Sequence, residues 1–132
     1  MYQKVIIIGN LGADPEMRFS PSGKPVTHFP VAVNKRWTDA NGERQERTTW
    51  FRVSAWGPLA ETCNEFLTKG RLVMVEGEVR ASAWIDQQGQ ARATLEITAR
   101  TVKFLGRGNG NGNGEAQGKA DDGFVIDEDI PF

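Results

Sequence analysis

Three of this chain's tryptophans stand where a strand would turn them outward beside positive charge. Between Thr48 and Trp56 one alternate set is Thr49, Phe51, Val53 and Ala55; the other is Thr48, Trp50, Arg52, Ser54 and Trp56. Successive side chains of a strand point to opposite faces. The first set therefore reads as a core face, and the second frames a guanidinium and hydroxyls with two indoles. The pattern recurs downstream. Val75, Val79, Ala81, Ala83 and Ile85 share one phase and Glu78, Arg80, Ser82, Trp84 and Asp86 the other, while Ala93, Leu95, Ile97 and Ala99 oppose Arg92, Thr94, Glu96, Thr98 and Arg100. Trp37 shares phase with Phe29, Val31 and Val33, next to Lys35 and Arg36 at the mouth of a turn.

A tryptophan in a strand is ordinarily a core residue, and an oligomer interface is a second way to bury one. The third reading is a platform on which flat ligands stack. Indoles interleaved with Arg52, Arg80, Lys35 and Arg36 suit single-stranded nucleic acid, because bases stack at about 1–3 kcal/mol each and cations neutralise the backbone. A sugar-binding domain would use the aromatics without needing so many adjacent cations.

Other chemistries are poorly served. His28 is the only histidine and Cys63 the only cysteine, which removes disulfide frameworks, Cys-based zinc clusters and multi-His metal sites. No cofactor or metal is expected, nor catalytic residues. A nuclease would need carboxylates clustered around Mg²⁺, and Glu61, Glu65, Glu76 and Glu78 are scattered. The longest apolar run, Val5 to Ile8, is too short to span a bilayer and too near the N-terminus for a secretory signal.

The net charge of −1 hides a split. Residues 1–107 carry 15 Lys and Arg against 11 Asp and Glu; residues 108–132 carry Lys119 alone against six carboxylates. The body is mildly basic and the end acidic, so the two halves are expected to attract, and the end to compete with an anionic ligand.

The elements that position these residues are mostly strands. β-Branched runs bounded by turn residues predict strands at 3–11, 25–35, 48–56, 71–84 and 92–104, with hairpin loops at Asp39-Ala40-Asn41-Gly42 and Asp86-Gln87-Gln88-Gly89. Pro30 cannot donate to a ladder, which predicts a bulge or an edge there. Between the third and fourth strands Leu59, Cys63, Phe66 and Leu67 share a helical face, opened by Pro58 and closed by Gly70. Cys63 then reads as a small buried hydrophobe. Three strands, a helix and two strands predict an all-β, five-stranded, partly open OB-fold barrel over residues 1–105. Residues 106–120 read as a Gly/Asn-rich flexible linker, and 121–132 as an acidic peptide with an apolar tip.

In its motifs the chain resembles the bacterial single-stranded-DNA-binding proteins of the OB-fold type. The matching segments are VIIIGNLGADPE at 5–16, TWFRV at 49–53, AWG at 55–57, LTKG at 67–70, WIDQQG at 84–89 and DEDIPF at 127–132. The resemblance implies stacking at Trp37, Trp50, Trp56 and Trp84, and backbone contacts at Arg18, Arg52, Lys69 and Arg80. Pro58, Thr68, Ser82 and Ala83 depart from it, standing where relatives can carry Lys or Arg. It also implies a homotetramer and a cytoplasmic, nucleoid-associated location. Finally, it implies that Asp127, Glu128, Asp129, Ile130, Pro131 and Phe132 recruit replication, recombination and repair proteins. An apolar side chain beside a free carboxylate suits capture in a basic-rimmed pocket. A single-stranded RNA chaperone is the nearest rival, since RNA offers the same stackable faces.

Overall fold

The computed structural model describes residues 1–106. Within them the chain runs β1 (Val5–Leu11), β2 (Glu16–Phe19), β3 (Pro25–Thr38), β4 (Arg44–Trp56), α1 (Pro58–Phe66), β5 (Leu72–Ile85) and β6 (Ala91–Leu105). The linker expectation beyond Gly106, and the terminal-peptide expectation, lie outside the described residues.

Strand order is β1-β5-β6-β4-β3-β2. A second pairing of β1, with β3 at Asn10↔Ala32 and Leu11↔Val31, closes five strands into a barrel. β4 and β6 run parallel across the other seam, Phe51 opposite Leu95. Phe29, Val31, Val53, Ala55, Val73, Val75 and Ile97 fill the interior. They occupy alternate positions on their strands, as the period of two requires. The architecture is the OB barrel that the order of elements predicts, with its closure complete.

Helix α1 covers one end. Ala60 and Cys63 are buried, and the buried Thr27 hydroxyl donates to the Ala60 carbonyl at 2.7 Å. Burial pushes the Cys63 thiol up to about 11, which suits an inert packing residue. The helix ends at Phe66, earlier than Gly70. Leu67 is already extended, with its N–H on the Cys63 carbonyl, and Gly70 (φ 92°) serves a separate turn into β5. Phe66 is exposed, near the Phe104 ring at a centroid distance of 6.5 Å. The helix buries Ala60, and Phe66 falls beyond its inward face.

Four other expectations are corrected. The hairpin of β2 with β3, Glu16↔His28 to Phe19↔Pro25, is an addition to the expected strands. Four residues with little apolar alternation give no strand signal. Pro30 lies neither at a bulge nor on a free edge but between two ladders, where β3 has lost β2 as neighbour and not yet gained β1. Its carbonyl accepts from Gly12 N–H at 3.0 Å, and its missing N–H faces the same gap. β6 does not keep one phase. Glu76 pairs with Thr101 and Gly77 with Ala99, so Arg100 is a bulge; core contacts then pass from Ile97 and Ala99 to Val102 and Phe104. Finally, β3–β4 and β5–β6 extend past the barrel as long arms, so Ala81, Ala83 and Ile85 have no interior to face and are exposed.

Each arm is tied off by an aspartate. The Asp39 carboxylate accepts from the N–H groups of Asn41 and Glu43, and that of Asp86 from those of Gln88 and Gln90, each at 2.9 Å. These bonds favour the ionised form. Asp39 is held below the usual carboxylate range chiefly by the Glu43 N–H, and Asp86 chiefly by the Arg92 side chain.

Candidate nucleic-acid interface

β4 is the spine of the candidate surface. Its outward phase carries Trp50, Arg52, Ser54 and Trp56, and adjacent strands add their own outward residues in register. Pro30 of β3 stands opposite Arg52, and Arg52 opposite Glu96 of β6, which faces Arg80 of β5. One row away His28, Ser54, Thr98 and Glu78 align in the same manner. Two hollows open on this sheet face. One, of about 750 Å³, includes His28, Arg52, Ser54, Trp56, Arg80 and Glu96 in its lining. The other, of about 390 Å³, runs between Trp50, Pro30, Asp14 and Thr94. His28 and Arg52 line both, forming the ridge between them.

Trp50 is 53% exposed, Trp84 48% and Trp56 41%, so three indoles present open ring surface. For Trp50 and Trp56 the reason is strand phase. For Trp84 it is the projecting arm, since Ile85, on the opposite phase, is more exposed still. Trp37 differs. It is half-buried, with Lys35 Nζ 5.9 Å and Arg47 Cζ 5.5 Å from its ring centroid. Cations thus already occupy its π-face.

The predicted cations divide. Arg52 has no ion-pair partner among the described residues. Arg80 is paired with Glu96 at 3.0 Å, Arg18 with Glu16 at 3.5 Å and Arg36 with Glu46 at 3.6 Å. Such exposed pairs are worth about 0–1 kcal/mol and yield readily to a stronger anion. Lys69 is exposed and lines neither hollow, although its backbone N–H donates at 2.8 Å to Asp14, which lines the smaller one. The structure thus brings Trp50, Trp56, Arg52 and Arg80 to one face. Trp84 extends that face along the β5 arm, and Lys35 with Trp37 lies on the opposite phase of the β3 arm.

Sequence reasoning misses three neighbours of these residues. Lys24 places its Nζ 6.0 Å from the Trp56 ring, Arg47 covers Trp37, and His28 bonds Ser54 through Nδ1 at 3.0 Å. Arg47 is within its reach, because the Asp39–Gly42 loop sets a register that puts it opposite Lys35. The same register puts Ser54 opposite His28, whereas Lys24 belongs to the turn of the β2–β3 hairpin, and β2 carries no strand signal.

Gly12 determines how Trp50 lies. A Cβ there would come within 2.6 Å of the outer edge of the indole, so the ring rests on a bare backbone. Gly12→Ala should therefore swing the indole off its seat while the barrel stays folded. The check is a changed Trp emission maximum with Tm moved by only a few degrees.

Comparison with known proteins fits this geometry. The model of the single-strand binding protein family matches residues 2–105, and the chain belongs to that family. Among solved structures, a Plasmodium falciparum SSB in complex with ssDNA superposes with a TM-score of 0.69 at 27% identity, covering 80% of this chain and 96% of that one.

Proposed function

We propose that this member of the single-strand binding protein family coats single-stranded DNA without base specificity, without catalysing a reaction on it, in replication, recombination and repair. The row Trp50–Arg52–Ser54–Trp56 carries the reading: exposed indoles flank a guanidinium with no partner among the described residues. Every base has a π-face and phosphates carry no base code, so this row holds a strand whatever its sequence. Duplex would hide the faces the indoles need.

Two further parts belong to the proposal. The acidic terminus, with Ile130, Pro131 and Phe132 beyond Asp127, Glu128 and Asp129, recruits protein partners to the coated strand. The chain also assembles with copies of itself, as a homotetramer. Supporting this, Ile6 (57% exposed) and Ile8 (43%) stand on the outer face of β1 beside Met74 of β5, and an apolar patch of that kind marks an interaction surface.

The test is a titration of the full-length chain with a thymidine oligomer, following tryptophan fluorescence at several salt concentrations. Duplex and a ribo-oligomer serve as controls. If about five phosphates are neutralised, log K should fall with log salt at a slope near −3 to −4. Quenching by the single strand and not by duplex is expected. Unchanged fluorescence would overturn the assignment of the indoles, and preference for the ribo-oligomer would overturn the choice of DNA.

A further inference from the structure

His28 stands at the midpoint of the face just described. Trp50 and Trp56 are six residues apart on one strand, about 20 Å at the usual rise. A strand stacked on both must carry its backbone across the ridge that His28 and Arg52 form between the hollows. Nδ1 of the ring is engaged with the Ser54 hydroxyl at 3.0 Å, whereas Nε2 has no hydrogen-bond partner among the described residues. From this placement we propose that His28 is a further phosphate contact of the interface, taking up a proton as the strand binds, so that affinity rises with acidification. The inference rests on the single-strand-binding reading.

The charges around the ring support it. β2 contributes Glu16 and Arg18, β4 Arg52 and β6 Glu96, while Asp14 shares one hollow with His28, and Glu78 and Arg80 share the other. Three of the carboxylates already have cations: Glu16 has Arg18, Glu96 has Arg80 at 3.0 Å and Glu78 has Arg100 at 3.0 Å. Arg52, by contrast, has no ion-pair partner among the described residues. In the free protein, burial first, then Arg52 and Arg18, keep the ring below the usual histidine range, so it is neutral at pH 7. An arriving phosphate offsets Arg52 and supplies the negative partner that the ring lacks. Nε2 then gains a proton and donates to a phosphate oxygen, with Nδ1–H donating to Ser54. Because the bound state holds the proton more tightly, the gain is complete below the free protein's pKa. It is lost as pH rises through the pKa of the complex.

The experiment measures the affinity of full-length chain for a thymidine oligomer from pH 5.5 to 8 at fixed salt, with His28→Asn in parallel. In addition, the Hε1 resonance is followed with and without the oligomer. His28 is the only histidine, so one resonance reports on it. Wild type should bind several-fold more tightly at pH 5.5 than at pH 8, toward the limit of about tenfold that raising one group's pKa by about one unit sets. His28→Asn should flatten this dependence, and the resonance should titrate at higher pH in the complex. An equal pH dependence in both proteins, a flat one in wild type, or an unmoved Hε1 titration overturns the proposal while leaving single-strand binding intact. Absence of binding by wild type at every pH overturns the single-strand reading itself.

Discussion

Replacing Trp50 and Trp56 together with alanine should cost roughly 2–6 kcal/mol of single-strand affinity, about 30-fold to 10⁴-fold in Kd, at about 1–3 kcal/mol per stacked base. The two sites lie about 20 Å apart along β4, far enough for their contributions to add. The size follows from what the fold leaves exposed. A tryptophan buries some 150–250 Å² when fully covered, so an indole about half exposed forgoes roughly 100 Å², or about 2–3 kcal/mol. A stacked base recovers that burial. Trp37→Ala is the internal contrast. Trp37 is half-buried with two cations, Lys35 and Arg47, over its ring, where Trp56 is exposed and has Lys24 alone, so its loss should weaken binding less than either of the others. The measurement is anisotropy of a labelled thymidine oligomer, which does not depend on the indoles under test, alongside thermal melts. A large loss of affinity with Tm nearly unchanged is the expected result. Parallel losses of both would mean that the indoles support the fold and not the ligand.

The contrast between Trp50 and Trp84 marks how far sequence reasoning reaches. A period of two is strong where a strand walls a core, and the alternation of Phe51, Val53 and Ala55 is enough to make the outward set of β4 plain. Trp84 is exposed as the same alternation predicts, but for a different reason: past the barrel end there is no core, and Ala81, Ala83 and Ile85 are exposed with it. Periodicity does not say where the core stops. Nor does it announce a bulge, although Val102 and Phe104 on even positions after Ile97 and Ala99 on odd ones record the shift at Arg100. Beyond its β4 neighbours, the surroundings of His28 are illegible in the sequence because they come from other strands. Glu16 and Arg18 reach it only through the β2 pairing, and Glu96 only through the parallel seam of β4 with β6. Non-local register of that kind is set by closure of the barrel, which no single segment encodes.

Two glycines make room for the ladders of the barrel, and Gly9→Ala should be strongly destabilising. At Gly9 β1 faces Val73 of β5, and at the next residue it pairs with both neighbours, Asn10 with Leu72 of β5 and with Ala32 of β3. A Cβ on Gly9 would collide with the Ala32 carbonyl oxygen, 2.9 Å from its carbon and 3.0 Å from Val31 Cγ1. Gly77 is in the same position against the Thr98 carbonyl, at the point where β5 meets the Arg100 bulge. Neither has a positive φ, so the requirement is space and not backbone conformation. The obstacle in each case is paired backbone, unlike the indole edge that can swing away from Gly12. Overpacking against movable side chains costs about 1–3 kcal/mol; against a fixed ladder the cost should reach about 3 kcal/mol or more, lowering Tm by roughly 12–24 °C in a domain of this size. Gly77→Ala should behave similarly. Both variants, where folded, should retain the wild-type salt slope, because the cations of β4 are untouched. The check is a melt paired with binding at a temperature where the variant is folded. A fall in Tm of only a few degrees would show that the seam between β1 and β3 can open without loosening the barrel. The alignment of Pro30 and Trp50 over Gly12 would then need another support.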